Sequence, residues 1–182
     1  AIAASTGGPP AIREVLSSLP ADFDSPVLIV QHIASGFTTG FVSWLDTSID
    51  LRVKIAQQGE PLKGGVVYVA PEDRHLGMSK EGCAFLSSEA PIGGFRPSAS
   101  YLFESVGSVC HGSAIGVILT GMGNDGVAGL QTLRTNGGHV IAQDEATSVI
   151  YGMPAAAVEA GVAQRSLALD KIGGDILRAA RR

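Results

Sequence analysis

The sequence predicts an α/β fold: a three-layer, doubly wound, mostly parallel sheet with helices on both faces and an antiparallel edge hairpin. Short unbroken apolar runs, typical of strands buried on both faces of a parallel sheet, alternate with segments of helical period. The 24 glycines suit many tight strand–helix turns, and a charged fraction of 16% is too low for a disordered chain or a coiled coil. A length of 182 residues predicts one domain over residues 1–182.

The first half of the chain supplies the elements around the first strand. An apolar run at residues 1–4 predicts the end of a strand, and the helical spacing of apolar residues over 12–19 predicts a helix that Pro20 closes. Two apolar runs and one weaker run predict further strands, at residues 27–30, 66–70 and 52–56. An aromatic face predicts a helix over residues 37–45, and residues 76–78 and 83–86 predict the hairpin.

The second half repeats the alternation of helix and strand. The predicted elements are a helix at 102–110, a strand at 114–119, a helix ending at 136–138, a strand at 139–142 and helices at 154–160 and 171–181. The glycines at 137 and 138 are a helix stop, and we expect Asp170 to cap the last helix. No internal repeat or long linker divides the chain.

Polar residues follow the predicted strands. Because open α/β sheets bind ligands outside the carboxyl ends of their strands, we expect these residues to share one edge. They are Ser5, His32, Asp73, His75, Asp125 and Asp144. His111 and His139 lie near the opposite ends of their elements, and we interpret both as structural.

The turn after the first strand is the first candidate site. Ser5 is followed by Gly7 and Gly8, which permit a tight turn, and by Pro9 and Pro10, which suit the first turn of a helix. Such a turn points the Ser5 side chain outward above a helix N-terminus, where negative charge is favoured. An acyl-transfer serine or a bound phosphate fits this position.

Acyl transfer by a serine also needs a base, a carboxylate that orients the base, and oxyanion donors. His32 directly ends a predicted central strand, and Asp125 lies in a loop flanked by glycines. Backbone amides of residues 121–123, or those after Ser5, can serve as the donors.

The residues leave several alternatives open. His75 and Asp73 rival His32 and Asp125 as base and orienting group, and Asp125 can also be the N-cap of its helix. Metal hydrolysis with His32, His75, Asp73 and Asp125 lacks a supporting HxH or HxxxH pair. Phosphate binding by residues 5–8 and 121–126 lacks the P-loop lysine and a full GxGxxG pattern. From spacing alone, enzyme and binding module remain alternatives.

Charge, cysteine spacing and hydropathy restrict the partners and the cellular compartment that the sequence predicts. The net charge of −4 argues against nucleic acid as the main partner, and no apolar run is long enough to insert into a membrane. No signal peptide opens the chain, and Cys83 and Cys110 are too far apart for a CxxC site, which predicts buried thiols in a cytoplasmic protein. Because the chain starts without Met, we predict that it is part of a longer protein.

A set of motifs gives the sequence a family resemblance. In chain order they are ASTGGP at residues 4–9, QH at 31–32, GFT at 36–38, APEDRHL at 70–76, RPS at 96–98, ILTGMGNDG at 118–126, AQDE at 142–145 and GMP at 152–154. Over essentially the whole chain, these motifs resemble the catalytic domain of the bacterial chemotaxis receptor methylesterases, which are protein-glutamate methylesterases and protein-glutamine deamidases.

The resemblance implies a Ser–His–Asp triad of Ser5, His32 and Asp125, with accessory roles for Thr6 and for the Met122 backbone as an oxyanion donor. It implies no metal and no organic cofactor, chemotaxis receptors as substrates, and an N-terminal phosphoryl-accepting receiver domain in the parent protein. One departure is visible, because Ser100 occupies a position that is usually acidic in the family. This departure puts receptor contact or loop anchoring in doubt. The alternatives are an esterase of the same fold acting on another protein ester and a phosphate-binding module without catalytic activity.

Overall fold

The structure, a computed structural model, describes residues 1–181, so Arg182, the last residue of the predicted domain, lies outside the described residues. The described strands are β1 (Ile2–Ala4), β2 (Val27–Gln31), β3 (Arg52–Ile55), β4 (Val66–Val69), β5 (His75–Met78), β6 (Ala84–Ser87), β7 (Ile115–Ile118), β8 (His139–Gln143) and β9 (Arg165–Leu167). The α-helices are α1 (Gly8–Ser17), α2 (Thr38–Asp46), α3 (Ala99–Cys110), α4 (Val127–Thr135), α5 (Met153–Glu159) and α6 (Leu169–Ala179).

Seven strands form one parallel sheet in the order β3-β4-β2-β1-β7-β8-β9. The chain forms β2, β3 and β4 on one side of β1, with β3 at the edge, and then returns to add β7, β8 and β9 on the other side, which is the predicted doubly wound arrangement. Helices α1, α2 and α6 pack their apolar residues on one face, and α3, α4 and α5 pack on the other. The three-layer fold class is therefore confirmed.

The antiparallel hairpin of β5 and β6 is also confirmed, and it forms a sheet of its own instead of extending the edge of the large sheet. Within the described residues, the outer edges of the hairpin form hydrogen bonds with other segments and not with the large sheet. The β6 side bonds to the segment at residues 59–62, while Ser105 of α3 accepts a hydrogen bond from the Met78 amide at 2.8 Å. The hairpin thus lies against α3.

Three details differ from the sequence prediction. Strand β9 was not predicted, because its three residues are largely exposed at the sheet edge and carry no apolar run. The prediction that Asp170 caps α6 is wrong: Ala168 is the N-cap, and Asp170 lies in the first turn, where a carboxylate is favoured by the helix dipole. Cys83 and Cys110 are half-buried, not buried.

Strand register positions the candidate site. Ala4 of β1 pairs with Gln31 of β2, and Ala3 pairs with Ile118 of β7. The residues that follow these strands therefore emerge side by side in the middle of the carboxyl edge. No helix within residues 1–181 is both long enough and apolar enough to cross a membrane.

Candidate active site

The turn after β1 has the predicted form. Gly7, at φ 79°, is the N-cap of α1, and the two prolines follow in the first turn of the helix. A Cβ on Gly7 would lie 2.7 Å from side-chain atoms of Val149, so the turn admits no larger residue without a shift. The Gly8 amide donates to the Ser5 carbonyl at 2.8 Å, which closes the turn beneath a half-buried Ser5.

Two side chains, one at the end of β2 and one just after β7, hold this turn by hydrogen bonds to its carbonyls. Gln31 Nε2 donates to the carbonyls of Ser5 (2.9 Å) and His32 (2.8 Å), tying the ends of β1 and β2 together. Thr120 Oγ1 donates to the Thr6 carbonyl at 2.9 Å, and the Ser5 amide donates to the Thr120 carbonyl at 3.0 Å. The position of Ser5 is thus set by both strands that flank β1.

His32 lies beside Ser5 in the strand register, and its amide donates to the Ala4 carbonyl at 2.9 Å. Its Nε2 is 2.9 Å from Asp125 Oδ2, and the two side chains are only 9% and 4% exposed. Because an ionised carboxylate only accepts, Nε2 carries the proton and Nδ1 is left as the acceptor. Nδ1 is buried and has no hydrogen-bond partner among residues 1–181.

The Ser5 hydroxyl and His32 are neighbours without a hydrogen bond between them in the described part of the chain. Catalytic hydrogen bonds commonly tighten only when substrate is bound. The structure therefore brings His32 and Asp125 into direct contact and places Ser5 next to them.

The Asp125 carboxylate accepts four hydrogen bonds. Besides His32 at 2.9 Å, its donors are the Ser98 hydroxyl (2.8 Å), the Ala99 amide (2.7 Å) and the Ser100 amide (3.0 Å). Burial by itself would raise the pKa of this carboxyl, but the hydrogen bonds from His32 and from the start of α3 lower the pKa to about 2. Asp125 is therefore ionised at neutral pH.

The Asp125 carboxylate lies against the N-terminus of α3. Ser98 is the N-cap of α3 and accepts from the Ser100 and Tyr101 amides, while its hydroxyl donates to Asp125. The alternative in which Asp125 caps its own helix is wrong, because the N-cap of α4 is Gly126. Ser100, the departure from the family pattern, is buried, and its Oγ accepts from the Gly126 amide at 2.8 Å. It thus anchors the loop that carries Asp125.

The two accessory residues lie on loops beside Ser5. Thr6 is exposed, and the Met122 side chain is 69% exposed. A Cβ on Gly121, the residue before Met122, would lie 2.7 Å from Ser5 Cβ, so the two loops are in contact. Neither the Thr6 amide nor the Met122 amide donates to a backbone carbonyl within residues 1–181. Both are available to a ligand.

His75, the rival candidate for the base, is hydrogen-bonded through both ring nitrogens. His75 is fully buried, its Nδ1 accepts from the Ser98 amide at 3.2 Å, and its Nε2 donates to the Ala90 carbonyl at 3.2 Å. A ring with both nitrogens engaged has no free nitrogen for a hydroxyl. Asp73, its partner in that alternative, is 79% exposed and pairs with Arg96 instead.

The remaining candidates have local roles. Asp144 Oδ1 accepts from the amide and hydroxyl of Thr147, so it stabilises its own loop. His139 contacts Asp175 at 3.1 Å at the amino end of β8, and His111 is exposed in a short 3₁₀ helix. Within residues 1–181, no three His, Cys, Asp or Glu side chains are grouped to hold a metal ion.

One neighbour of His32 was not predicted. The Phe95 ring stacks on the imidazole with a centroid distance of 4.1 Å and an interplanar angle of 6°. Nothing in the sequence indicates which residue Phe95 covers. Phe95 and His32 also line a groove of about 490 Å³, together with Glu72 and Arg96.

The chain matches known proteins over almost its whole length. The family model described as CheB methylesterase matches residues 1–176. The chain belongs to the CheB methylesterase family. The crystal structure of the CheB methylesterase catalytic domain of Thermotoga maritima matches with a TM-score of 0.93 and 38% identity, over 97% of this chain and 95% of that one.

Curated relatives extend the comparison. The chain is 50% identical over 181 residues to protein-glutamate methylesterase/protein-glutamine glutaminase 4 of Myxococcus xanthus, covering 100% of this chain and 51% of the relative. It is 48% identical over 180 residues to the group 3 operon protein-glutamate methylesterase/protein-glutamine glutaminase of Rhizobium meliloti, covering 99% and 51%. The chain thus spans about half the length of these relatives.

The ionised Asp125 predicts an acid-sensitive stability. Because its pKa in the folded chain lies below the ordinary 3.8 of an unfolded carboxyl, its contribution is present above about pH 4 and is lost as the pH falls towards 2. The contribution is on the order of 2 kcal/mol. We expect urea unfolding between pH 6 and 2.5 to show a shallower pH dependence for Asp125→Asn than for the wild type.

The matched control is Asp22→Asn, a change of the same kind at an exposed residue. This variant should follow the pH dependence of the wild type. Parallel curves for the wild type and Asp125→Asn would show that Asp125 does not couple folding to protonation.

Proposed function

We propose that this chain is a serine hydrolase that removes methyl groups from glutamate methyl esters of chemotaxis receptors and deamidates receptor glutamines. The observation that carries the proposal is the buried His32–Asp125 pair beside Ser5, at the carboxyl edge of the sheet. Relatives about 50% identical to the chain are named for both activities.

In the first half-reaction, Ser5 Oγ attacks the ester carbonyl and His32 Nδ1 takes its proton. Asp125 accepts from Nε2–H throughout, which holds the tautomer and stabilises the imidazolium that forms. The Thr6 and Met122 amides donate to the oxyanion, where charge develops in the transition state. When the tetrahedral intermediate collapses, the C–O bond breaks and methanol leaves with the proton from His32.

In the second half-reaction, water attacks the acyl-enzyme while His32 again acts as base. The Ser5 ester bond breaks, Ser5 regains its proton and the glutamate carboxylate is released. A glutamine amide follows the same path and releases ammonia in the first half. These steps use only side chains and amides of this chain.

The surface around the site favours a protein as substrate. The most exposed large apolar side chains in the described residues are Met122 (69%), Val149 (67%) and Phe37 (64%). All three lie on loops at the carboxyl ends of β7, β8 and β2. Exposed apolar residues gathered at one edge are typical of a surface that binds another protein.

The phosphate-binding alternative is the weaker one. A phosphate site at the start of α1 requires backbone amides and gives no role to a buried, ionised carboxylate held against His32. Hydrolysis of another protein ester by the same fold stays open, and the receptor assay below separates it from receptor demethylation.

Replacement of the nucleophile gives the first test. We expect Ser5→Ala to lower the release of methanol from methyl-labelled receptor membranes by about 10³-fold or more, because triad members act as a unit. Ser17→Ala, at an exposed position of α1, is the control and should keep wild-type turnover. A folded Ser5→Ala protein that retains a tenth of the wild-type rate would place the nucleophile elsewhere.

The base is tested by pH dependence. Because the base must be neutral to accept a proton, kcat/KM should fall on the acid side of its pH profile. We expect His32→Gln to lose this acid limb together with most activity, and the exposed His111→Gln to retain both. An unchanged acid limb in His32→Gln would assign the base to another group.

We further propose that a receiver domain regulates this site in a longer protein. Relatives about twice as long as this chain leave room for a second domain, and the exposed apolar residues at the site edge offer a surface for it to cover. Phosphorylation would then shift a closed–open equilibrium.

For this proposal, we expect the present chain to demethylate receptors at a rate that acetyl phosphate does not change. A full-length protein should be slower and should accelerate with acetyl phosphate. Equal rates for the two proteins, with or without the phosphodonor, would rule out inhibition by occlusion and leave the hydrolase proposal intact.

A further inference from the structure

Within the described residues 1–181, the His32 ring has only one side-chain hydrogen bond, from Nε2 to Asp125. Because Nε2 lies close to the extension of the Cβ–Cγ bond, a hydrogen bond at Nε2 only weakly restrains rotation of the imidazole plane about Cβ–Cγ. The direction of Nδ1, the atom that must meet Ser5, therefore needs a second constraint. The Phe95 ring, which lies 4.1 Å away and within 6° of parallel, is the group that supplies it.

We propose that Phe95 is a positioning residue that fixes the plane of the His32 imidazole and thereby directs Nδ1 towards Ser5. The inference rests on the proposed function, because it assigns Nδ1 as the proton acceptor. Phe95 stacks on the His32 ring, so in this proposal it acts through the base.

The segment that carries Phe95 is anchored at several points. Arg96, the next residue, donates from Nε and Nη2 to Asp73 Oδ1 at 2.9 and 2.6 Å, and from Nη1 to the carbonyls of Ser88 and Glu89, both at 3.1 Å. A guanidinium that uses three nitrogens holds the backbone beside it in one orientation.

The turn before Phe95 is closed as well. The Phe95 and Ile92 backbones exchange both of their hydrogen bonds at 3.0 Å. Gly93 and Gly94 between them have φ values of 58° and 88°, which larger side chains rarely adopt. The aromatic ring is thus presented to His32 by an ordered turn, as a positioning role requires.

The stack also matches the charge that develops during the reaction. When His32 takes the Ser5 proton it becomes an imidazolium, and the face of an aromatic ring attracts a cation. The contact therefore stabilises the transition state more than the resting enzyme. Loss of the ring should appear mainly in kcat, not in KM.

The kinetic test compares three variants with the wild type on methyl-esterified receptor membranes. We expect Phe95→Leu to lower kcat about threefold to tenfold, the range that corresponds to one aromatic pair, with KM within about twofold. Phe95→Tyr keeps the ring face and should restore wild-type kcat. Phe85→Leu makes the same change at a Phe of β6 that is 42% exposed, and should leave both constants unchanged.

A second readout does not depend on turnover. The chain has four histidines, so ¹⁵N-histidine spectra can be assigned by comparison with His32→Gln. In the wild type and in Phe95→Tyr we expect a single Nε2–H tautomer for His32, with ring protons shifted upfield by the stacked ring. In Phe95→Leu the upfield shift should disappear and the ring signals should broaden. Asp73→Asn, which loosens the Arg96 anchor, should shift the signals in the same direction by a smaller amount.

The inference would be overturned if Phe95→Leu kept the wild-type kcat, or if it raised KM alone. It would also be overturned if Phe85→Leu lost as much kcat as Phe95→Leu, or if the His32 spectra of Phe95→Leu were unchanged. The two proposals fail separately. Retained activity in Ser5→Ala overturns the hydrolase mechanism, whereas the spectra report the Phe95–His32 coupling in either case.

Discussion

The rest of the site depends on the buried Asp125 carboxylate. A buried charge without partners is strongly destabilising, and here four donors satisfy it. Three of the donors come from the start of α3 and the fourth from His32. The same carboxylate thus joins the loop after β7, the N-terminus of α3 and the end of β2. It orients the imidazole and also holds together the elements that surround it.

The parallel sheet supplies the other constraint, which is register. Ser5 and His32 follow paired residues of two adjacent central strands, so their backbones lie side by side before any side-chain contact forms. Gln31 and Thr120 then lock the turn after β1 through hydrogen bonds to its carbonyls. A serine on a rigid strand end and an imidazole held from two directions need little reorganisation in the proposed reaction.

His32 and His75 show how the surroundings of an imidazole determine which of its nitrogens are available. Both rings are packed against an aromatic ring, His32 against Phe95 and His75 against Tyr101. The difference lies in the hydrogen bonds. His75 uses both nitrogens to hold backbone groups, and one of them is the amide of Ser98, which in turn contacts Asp125. His32 Nδ1 has no hydrogen-bond partner among residues 1–181, and only a free nitrogen can accept a proton from a hydroxyl.

The sequence by itself determined the fold class, most strands and helices, and the gathering of Ser5, His32 and Asp125 at one edge. These follow from local signals, since apolar runs, helical spacing and Gly turns act over a few residues, and the carboxyl ends of parallel strands share one edge. Only the tertiary structure showed that His75 uses both ring nitrogens while His32 pairs with Asp125, and only it supplied the Ser98–Ser100 donors and the Phe95 stack. The long-range contacts of Ser98 and Phe95 join residues 23 to 63 positions apart in the chain, and no local pattern encodes which residues meet.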